Sequence, residues 1–271
     1  MSKSSKYILA AGCSFTDKDF VSVQHPELDT SWPKWPEILG EYLSLKVKNI
    51  GESGVGNDYI TSKVIQNILK DRDNIELVVI GWSEVQRFSL LDIYRFNPMT
   101  SLHRPEYYEH EIARQKSAIP LYKYLFGEFL INKTFHDKTN LFQEQITYWF
   151  KQMWQIQELC KAFGIKFIMS PLCGGFDLSK YQQVENSFDG RIEWTEVEWH
   201  IAYGRIEELY DLDREHYIGY PFMKSFYGFH LQREITGDHS RRISDKDSHP
   251  NESGHEEIAR YYYEQYTKVY S

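Results

Sequence analysis

With 271 residues, 41% of them hydrophobic, the chain can bury a full core as one large domain or two small ones. A net charge of −8 argues against duplex nucleic acid or an anionic membrane as partner, since either asks for a basic face. The longest apolar runs fall far short of the ~20 residues that cross a bilayer, and no signal peptide is visible. Cys13, Cys160 and Cys173 are scattered without a CxxC spacing. The expectation is a reduced, cytoplasmic protein with neither a disulfide framework nor a structural zinc.

Residues 7–11 form an apolar run that reads as a buried strand and stops at Gly12, Cys13 and Ser14. Gly12 lets the backbone turn at the strand's end, which sets Ser14 on the carboxyl edge of a sheet, where open α/β sheets keep their chemistry. Residues 18–32 read as an irregular loop. Pro33 and Pro36 then start a helix through Leu43, with Trp35, Ile38, Leu39 and Tyr42 on its apolar stripe. A short strand over 46–50 ends in GESGVGND, 51–58, whose glycines let backbone approach a ligand. Asn57 or Asp58 caps the next helix, to Leu69.

Residues 74–81 contain LVVIG, apolar as a central parallel strand should be. Residues 92–138 show no clean period and read as an insertion. A long helix over about 140–163 carries Phe142, Ile146, Trp149, Phe150, Met153 and Ile156 at helical spacing, and Gly164 ends it. A fourth strand, 165–169, runs into PLCGG. Residues 176–240 read as a second insertion, and 250–267 as a terminal helix with Ile258, Tyr262 and Tyr266 four apart.

Strand and helix alternate throughout, with no repeat and no linker. The fold class is therefore α/β, a mostly parallel sheet covered on both faces, in one domain spanning 1–271 with two insertions. The glycine turns then lie along one sheet edge. Tyr, Phe and Trp make up 16% of the chain, which suits a packed core of half-buried tyrosines or a surface on which sugars stack.

A serine is a poor nucleophile until a base takes its proton and donors stabilise the oxyanion. His249 can serve as that base, because neutral imidazole titrates near neutrality, and Pro250 starts a helix while leaving the histidine on the preceding loop. GCSFTD (12–17), NIGESGVGND (49–58), VVIGWSE (78–84) and DSHPNESGHEEIA (247–259) resemble, in order and spacing, the four blocks of the SGNH or GDSL hydrolase superfamily. The resemblance covers the framework and leaves out both insertions. It implies a three-layer, flavodoxin-like α/β/α fold and an ester hydrolase with Ser14 as nucleophile, His249 as general base, and Ser14 and Gly54 among the oxyanion donors.

Three positions depart from the family pattern. The aspartate expected beside the serine is Cys13, which strand alternation turns inward, buried and inert. The third-block asparagine falls on Ser83, so either its hydroxyl donates to the oxyanion, or Asn57 reaches in from the glycine loop, or the site is weak. The acid three before the histidine is Lys246. Asp247 fits the D-x-H form of other branches, with Asp245 as second choice.

His249 and His255 are six apart rather than the four of a helical metal pair, and GESGVG lacks the lysine of a phosphate-binding loop, so neither metal nor cofactor is expected. The expected substrate is a small-molecule or glycan ester, O-acetylated carbohydrate first. The alternatives are a non-catalytic glycan-binding module and an O-acyltransferase.

Overall fold

The computed structural model describes residues 6–85, 87–90, 94–96, 138–173, 209–222 and 230–271. Four parallel strands, β1 (Tyr7–Gly12), β2 (Lys46–Asn49), β3 (Ile75–Trp82) and β6 (Lys166–Pro171), form a sheet in the order β2-β1-β3-β6. β4 (Phe88–Leu90) and β5 (Tyr94–Phe96) make a separate antiparallel pair that the sequence did not announce. β1 and β3 are buried along almost their whole length, because parallel strands covered on both faces have no polar side to offer.

Among the described residues the α-helices are α1 (Trp35–Leu43), α2 (Asn57–Asp71), α3 (Lys138–Phe163), α4 (Leu231–Thr236) and the terminal α5 (Glu252–Tyr270). The chain reverses its direction across the sheet after β2, so right-handed crossovers put α1 on one face and α2 and α3 on the other. The packing agrees: α1 lies against α5, with Trp35 stacked on Tyr262 at 4.3 Å, and α2 lies against α3. Ile146, Trp149, Phe150, Met153 and Ile156 of α3 are all buried, as their spacing predicts. Phe142 lies outside the described side chains.

Four local expectations need correcting. Tyr42 is 47% exposed and packs on Tyr263 of α5 instead of joining the core. α2 begins at Asn57 itself, with Gly56 as its N-cap, so Asn57 is not the capping residue. α5 is capped by Asn251, whose Oδ1 accepts the Gly254 N–H, and Pro250 stands before it. Most of the two segments read as insertions lies outside the described residues. The later part of the second belongs to the core: Leu212, Ile218, Phe222, Leu231 and Ile235 are buried, and Tyr217 bridges Met169 in parallel, where a fifth strand would lie.

The sheet order reverses direction between β1 and β3, the switch point at which a doubly wound sheet opens a crevice beyond its strand ends. Gly12 and Gly81 are register partners there. A Cβ on Gly12 would overlap Thr16 Oγ1 and the Gly81 carbonyl, so the two strands and the Ser14 turn pack this closely only with glycine. Among the described residues no helix is long and apolar enough to cross a membrane.

Candidate active site

At the end of β1 the Cys13 carbonyl accepts the N–H groups of Thr16, at 2.8 Å, and Asp17, at 3.0 Å. This tight turn leaves Ser14 half-buried at the crevice. The glycine loop after β2 is fastened to the same turn. Glu52 N–H donates to the Gly12 carbonyl at 3.1 Å, Asn49 Nδ2 donates to the Thr16 carbonyl at 2.7 Å, and Asp17 Oδ2 accepts from Ser53 N–H at 2.9 Å and Ser53 Oγ at 2.6 Å. The next residue, Gly54, has φ of 81°, a left-handed conformation that favours glycine.

His249 comes from the loop before α5. Asn251 Nδ2 ties this loop to the Ser240 and Arg242 carbonyls, and Ile243 N–H donates to the His249 carbonyl at 2.9 Å. His249 Nε2 lies 2.9 Å from Ser14 Oγ, and His249 Nδ1 lies 2.5 Å from Asp247 Oδ1. The imidazole sits against two rings, stacked on Phe20 at 4.4 Å and tilted against Phe15 at 4.9 Å.

Asp247 is 4% exposed. Burial alone would push its carboxyl up, but hydrogen bonds from His249 and Ser22 outweigh that and hold it at about 2, below the ordinary 3.8. An ionised carboxylate only accepts, so His249 Nδ1 carries the ring proton and Nε2 of the neutral ring is left to accept from Ser14 Oγ–H. Asp245, the second choice for the acid, stands on the surface and binds Arg242 Nη2 at 2.5 Å and His239 Nδ1 at 2.8 Å. Thus Ser14, His249 and Asp247 are brought into one line of hydrogen bonds, and Asp245 is not part of it.

Ser83 and Asn57 meet each other rather than the crevice. Asn57 Oδ1 accepts the Ser83 N–H at 2.8 Å and its Nδ2 donates to the Ser83 carbonyl at 3.1 Å, a two-point clamp between α2 and the end of β3. Ser83 Oγ is enclosed and faces the buried Cys13 sulfur. A donor to an oxyanion must reach the space the substrate fills, and an enclosed hydroxyl does not.

Ser83→Ala is therefore expected to leave kcat within about twofold of wild type, since the hydroxyl faces Cys13 and not the crevice. Ser83→Asn would force a larger group into a filled site and lower the melting temperature. Asn57→Ala strands a buried N–H and a buried carbonyl at a cost of roughly 2–5 kcal/mol in urea unfolding. That exceeds the loss of a helix cap, about 1 kcal/mol.

Cys13 has no exposed surface, and its sulfur lies 3.2 Å from that of Cys173; all three cysteines are free. Burial pushes the Cys173 thiol well up. The hydrogen bond with Cys173 draws Cys13 down against its own burial, with the Arg87 charge helping. Having no path to the crevice, Cys13 does not compete with Ser14. His255 is also inside, on α5, where its Nδ1 accepts the Trp35 N–H at 3.3 Å. Among the described residues no cluster of three His, Cys, Asp or Glu side chains could hold a metal ion.

Sequence reasoning missed Ser22, Phe20 and Asp17. None had a usable signal: Phe20 and Ser22 lie in an aperiodic loop more than 200 residues from their partners in sequence, and Asp17 resembles any turn aspartate.

No protein family and no curated protein matches the chain by sequence. Several solved structures are similar in fold. A variant of Axe2, an acetylxylan esterase from Geobacillus stearothermophilus, is 11% identical over 98% of this chain and 96% of its own, with a TM-score of 0.46. LAE5, an α/β hydrolase from the metagenome of Lake Arreo, Spain, is 13% identical over 100% and 99%, with a TM-score of 0.46. The psychrotrophic esterase EstA from Pseudoalteromonas sp. is 11% identical over 97% of each chain, with a TM-score of 0.44. In its four sequence blocks, its sheet order and the place of its serine and histidine beyond the strand ends, the chain resembles the SGNH or GDSL hydrolase superfamily.

Proposed function

We propose that the chain is a serine hydrolase that cleaves an ester through an acyl-enzyme. The observation that carries this reading is the continuous line from Ser14 Oγ to His249 Nε2, at 2.9 Å, and from His249 Nδ1 to Asp247 Oδ1, at 2.5 Å, with the acid almost fully buried. His249 takes the Ser14 proton as Oγ attacks the acyl carbon, and Asp247 steadies the imidazolium that forms. The same proton passes to the departing alcohol oxygen. Water, deprotonated in turn by His249, then releases the acid and restores Ser14.

The oxyanion donors in this reading are the backbone N–H groups of Ser14 and Gly54, without a side chain from Ser83. Asp17 sets the second of them, because its carboxylate fixes Ser53 against the nucleophile turn. Losing one such donor typically costs ~10²- to 10³-fold in rate, so an oxyanion hole one side chain short suits an activated ester better than an amide. An O-acetylated carbohydrate is the substrate class proposed, from the chain's aromatic content and its D-x-H acid.

The test is hydrolysis of a panel of p-nitrophenyl esters and acetylated glycans by wild type beside Ser14→Ala. Wild type is expected to turn over at least one member with the alanine variant inactive. Turnover that survives the substitution removes Ser14 from the mechanism. Release of acid that falls when an acceptor sugar is added, with a new sugar ester formed, would assign acyl transfer instead.

A further inference from the structure

The acid of the line is itself held. Asp247 Oδ1 takes two donors from His249, its Nδ1 at 2.5 Å and its N–H at 3.0 Å. Oδ2 accepts the hydroxyl of Ser22 at 2.5 Å, across 225 residues of sequence. Ser22 has no exposed surface, whereas its neighbours Val21 and Val23 are 60% and 77% exposed. The loop therefore turns one polar residue inward and leaves the two apolar ones outside, the reverse of what burial preference alone would do. Such an inversion needs a bond that repays it.

The surroundings fix Ser22 in that place. His25 N–H donates to Ser22 Oγ at 3.0 Å, which orients the hydroxyl to give its own proton to Asp247. Thr30 Oγ1 donates to the Phe20 carbonyl at 2.5 Å and closes the loop two residues before Ser22. Phe20 is the ring stacked on His249. His25 Nε2 meets Ser244 Oγ at 2.8 Å, and Ser244 Oγ accepts the Asp247 N–H at 3.1 Å. One loop thus grips the imidazole face, the free carboxylate oxygen and, through Ser244, the backbone of the acid.

We propose that Ser22 is a positioning residue for Asp247, a fourth member of the line Ser14, His249, Asp247, Ser22. A carboxylate bound through one oxygen rotates easily about its last torsion, which is broad and roughly two-fold. The Ser22 bond removes that freedom, so that Oδ1 stays on His249 Nδ1 and the ring stays in the tautomer that accepts from Ser14. The proposal rests on the serine hydrolase reading for its kinetic consequence only; the bond itself is testable without turnover.

Ser22→Ala and Ser22→Thr are compared with wild type in steady-state kinetics, in melting curves, and by NMR of the proton shared between His249 Nδ1 and Asp247. The alanine variant is expected to lose about ten- to a hundredfold in kcat, the worth of a hydrogen bond to a charged group, with KM within about twofold. Its shared proton should exchange with water faster than in wild type, and Ser22→Thr, which keeps the hydroxyl, should recover both properties. Wild-type kcat in Ser22→Ala overturns the proposal, as does a fall in kcat with unchanged proton exchange, or a fall in melting temperature alone. Ser22→Cys, which keeps the volume and offers only a weak thiol donor, carries the same comparison should the alanine variant not fold. If wild type hydrolyses nothing and Ser14 proves unreactive, the hydrolase reading fails by itself. The exchange rate of the shared proton still decides whether Ser22 holds Asp247.

Discussion

Asp247→Asn lowers kcat by about 10⁴-fold, and Asp245→Asn leaves it within about twofold of wild type. The asymmetry follows from what each carboxylate touches. Asp247 accepts from His249 Nδ1 at 2.5 Å, whereas Asp245 is spent on Arg242 and His239 at the surface. An asparagine at 247 turns an NH₂ toward Nδ1, or else an amide oxygen without charge. In the first case the ring proton moves to Nε2, and Ser14 loses its acceptor; in the second the imidazolium loses its counter-charge. Steady-state kinetics on the two variants distinguishes the positions. A sensitive Asp245 and an insensitive Asp247 would mean that another carboxylate serves His249 during turnover.

Between pH 6.5 and 3 the fold is expected to lose roughly 4 kcal/mol of stability to one residue, His255, at a slope of about 1.4 kcal/mol per pH unit. Burial drives its pKa down from 6.5 to about 3, and the charges of Lys34 and His249 add to that. Its Nδ1 must also stay unprotonated to accept the Trp35 N–H that joins α1 to α5. The sign is fixed by which state binds the proton: below 6.5 the unfolded chain takes one up and the native ring does not, so acid favours unfolding until the native pKa is passed. Urea midpoints at neutral pH, pH 5.5 and pH 4.5 measure the slope. In His255→Gln the same midpoints should change far less over this range, though the variant starts less stable. An equally steep profile in His255→Gln would place the acid sensitivity elsewhere. Asp247 adds its share lower down: held at about 2, it contributes stability that is fully present above about 3.8 and is lost as pH falls through about 2.

Both results depend on residues that sequence reveals unequally. Ser14 and His249 were legible chiefly through the four blocks that resemble the SGNH or GDSL pattern, to which the strand ending in glycine before Ser14 and the proline after His249 add local support. Asp247 followed from its resemblance to the D-x-H form of related branches, and in the structure that spacing lets one carboxylate oxygen meet both the backbone N–H and the ring. The parallel sheet was legible too, since strands alternate with helices along the chain; its order, β2-β1-β3-β6, comes from the structure. Asn57 misled for a physical reason: an amide at the start of a helix is equally a cap and a clamp, and only the distance to Ser83 tells which. Ser83 misled because its position matched a family asparagine while its hydroxyl is shut in beside Cys13. Ser22 left no trace, because a loop residue holding a partner 225 positions away follows no period and carries no motif.

The nucleophilicity of Ser14 is the claim on which the functional account turns, and it can be measured without knowing the substrate. Wild type, Ser14→Ala and His249→Asn are treated with a fluorophosphonate and their masses compared, followed by peptide mapping. The account predicts one phosphonyl group on wild type, carried by the peptide containing Ser14, none on Ser14→Ala, and far slower labelling of His249→Asn. Wild-type protein that stays unmodified under conditions that label other serine hydrolases, or a Ser14→Ala variant labelled as fast as wild type, would contradict it.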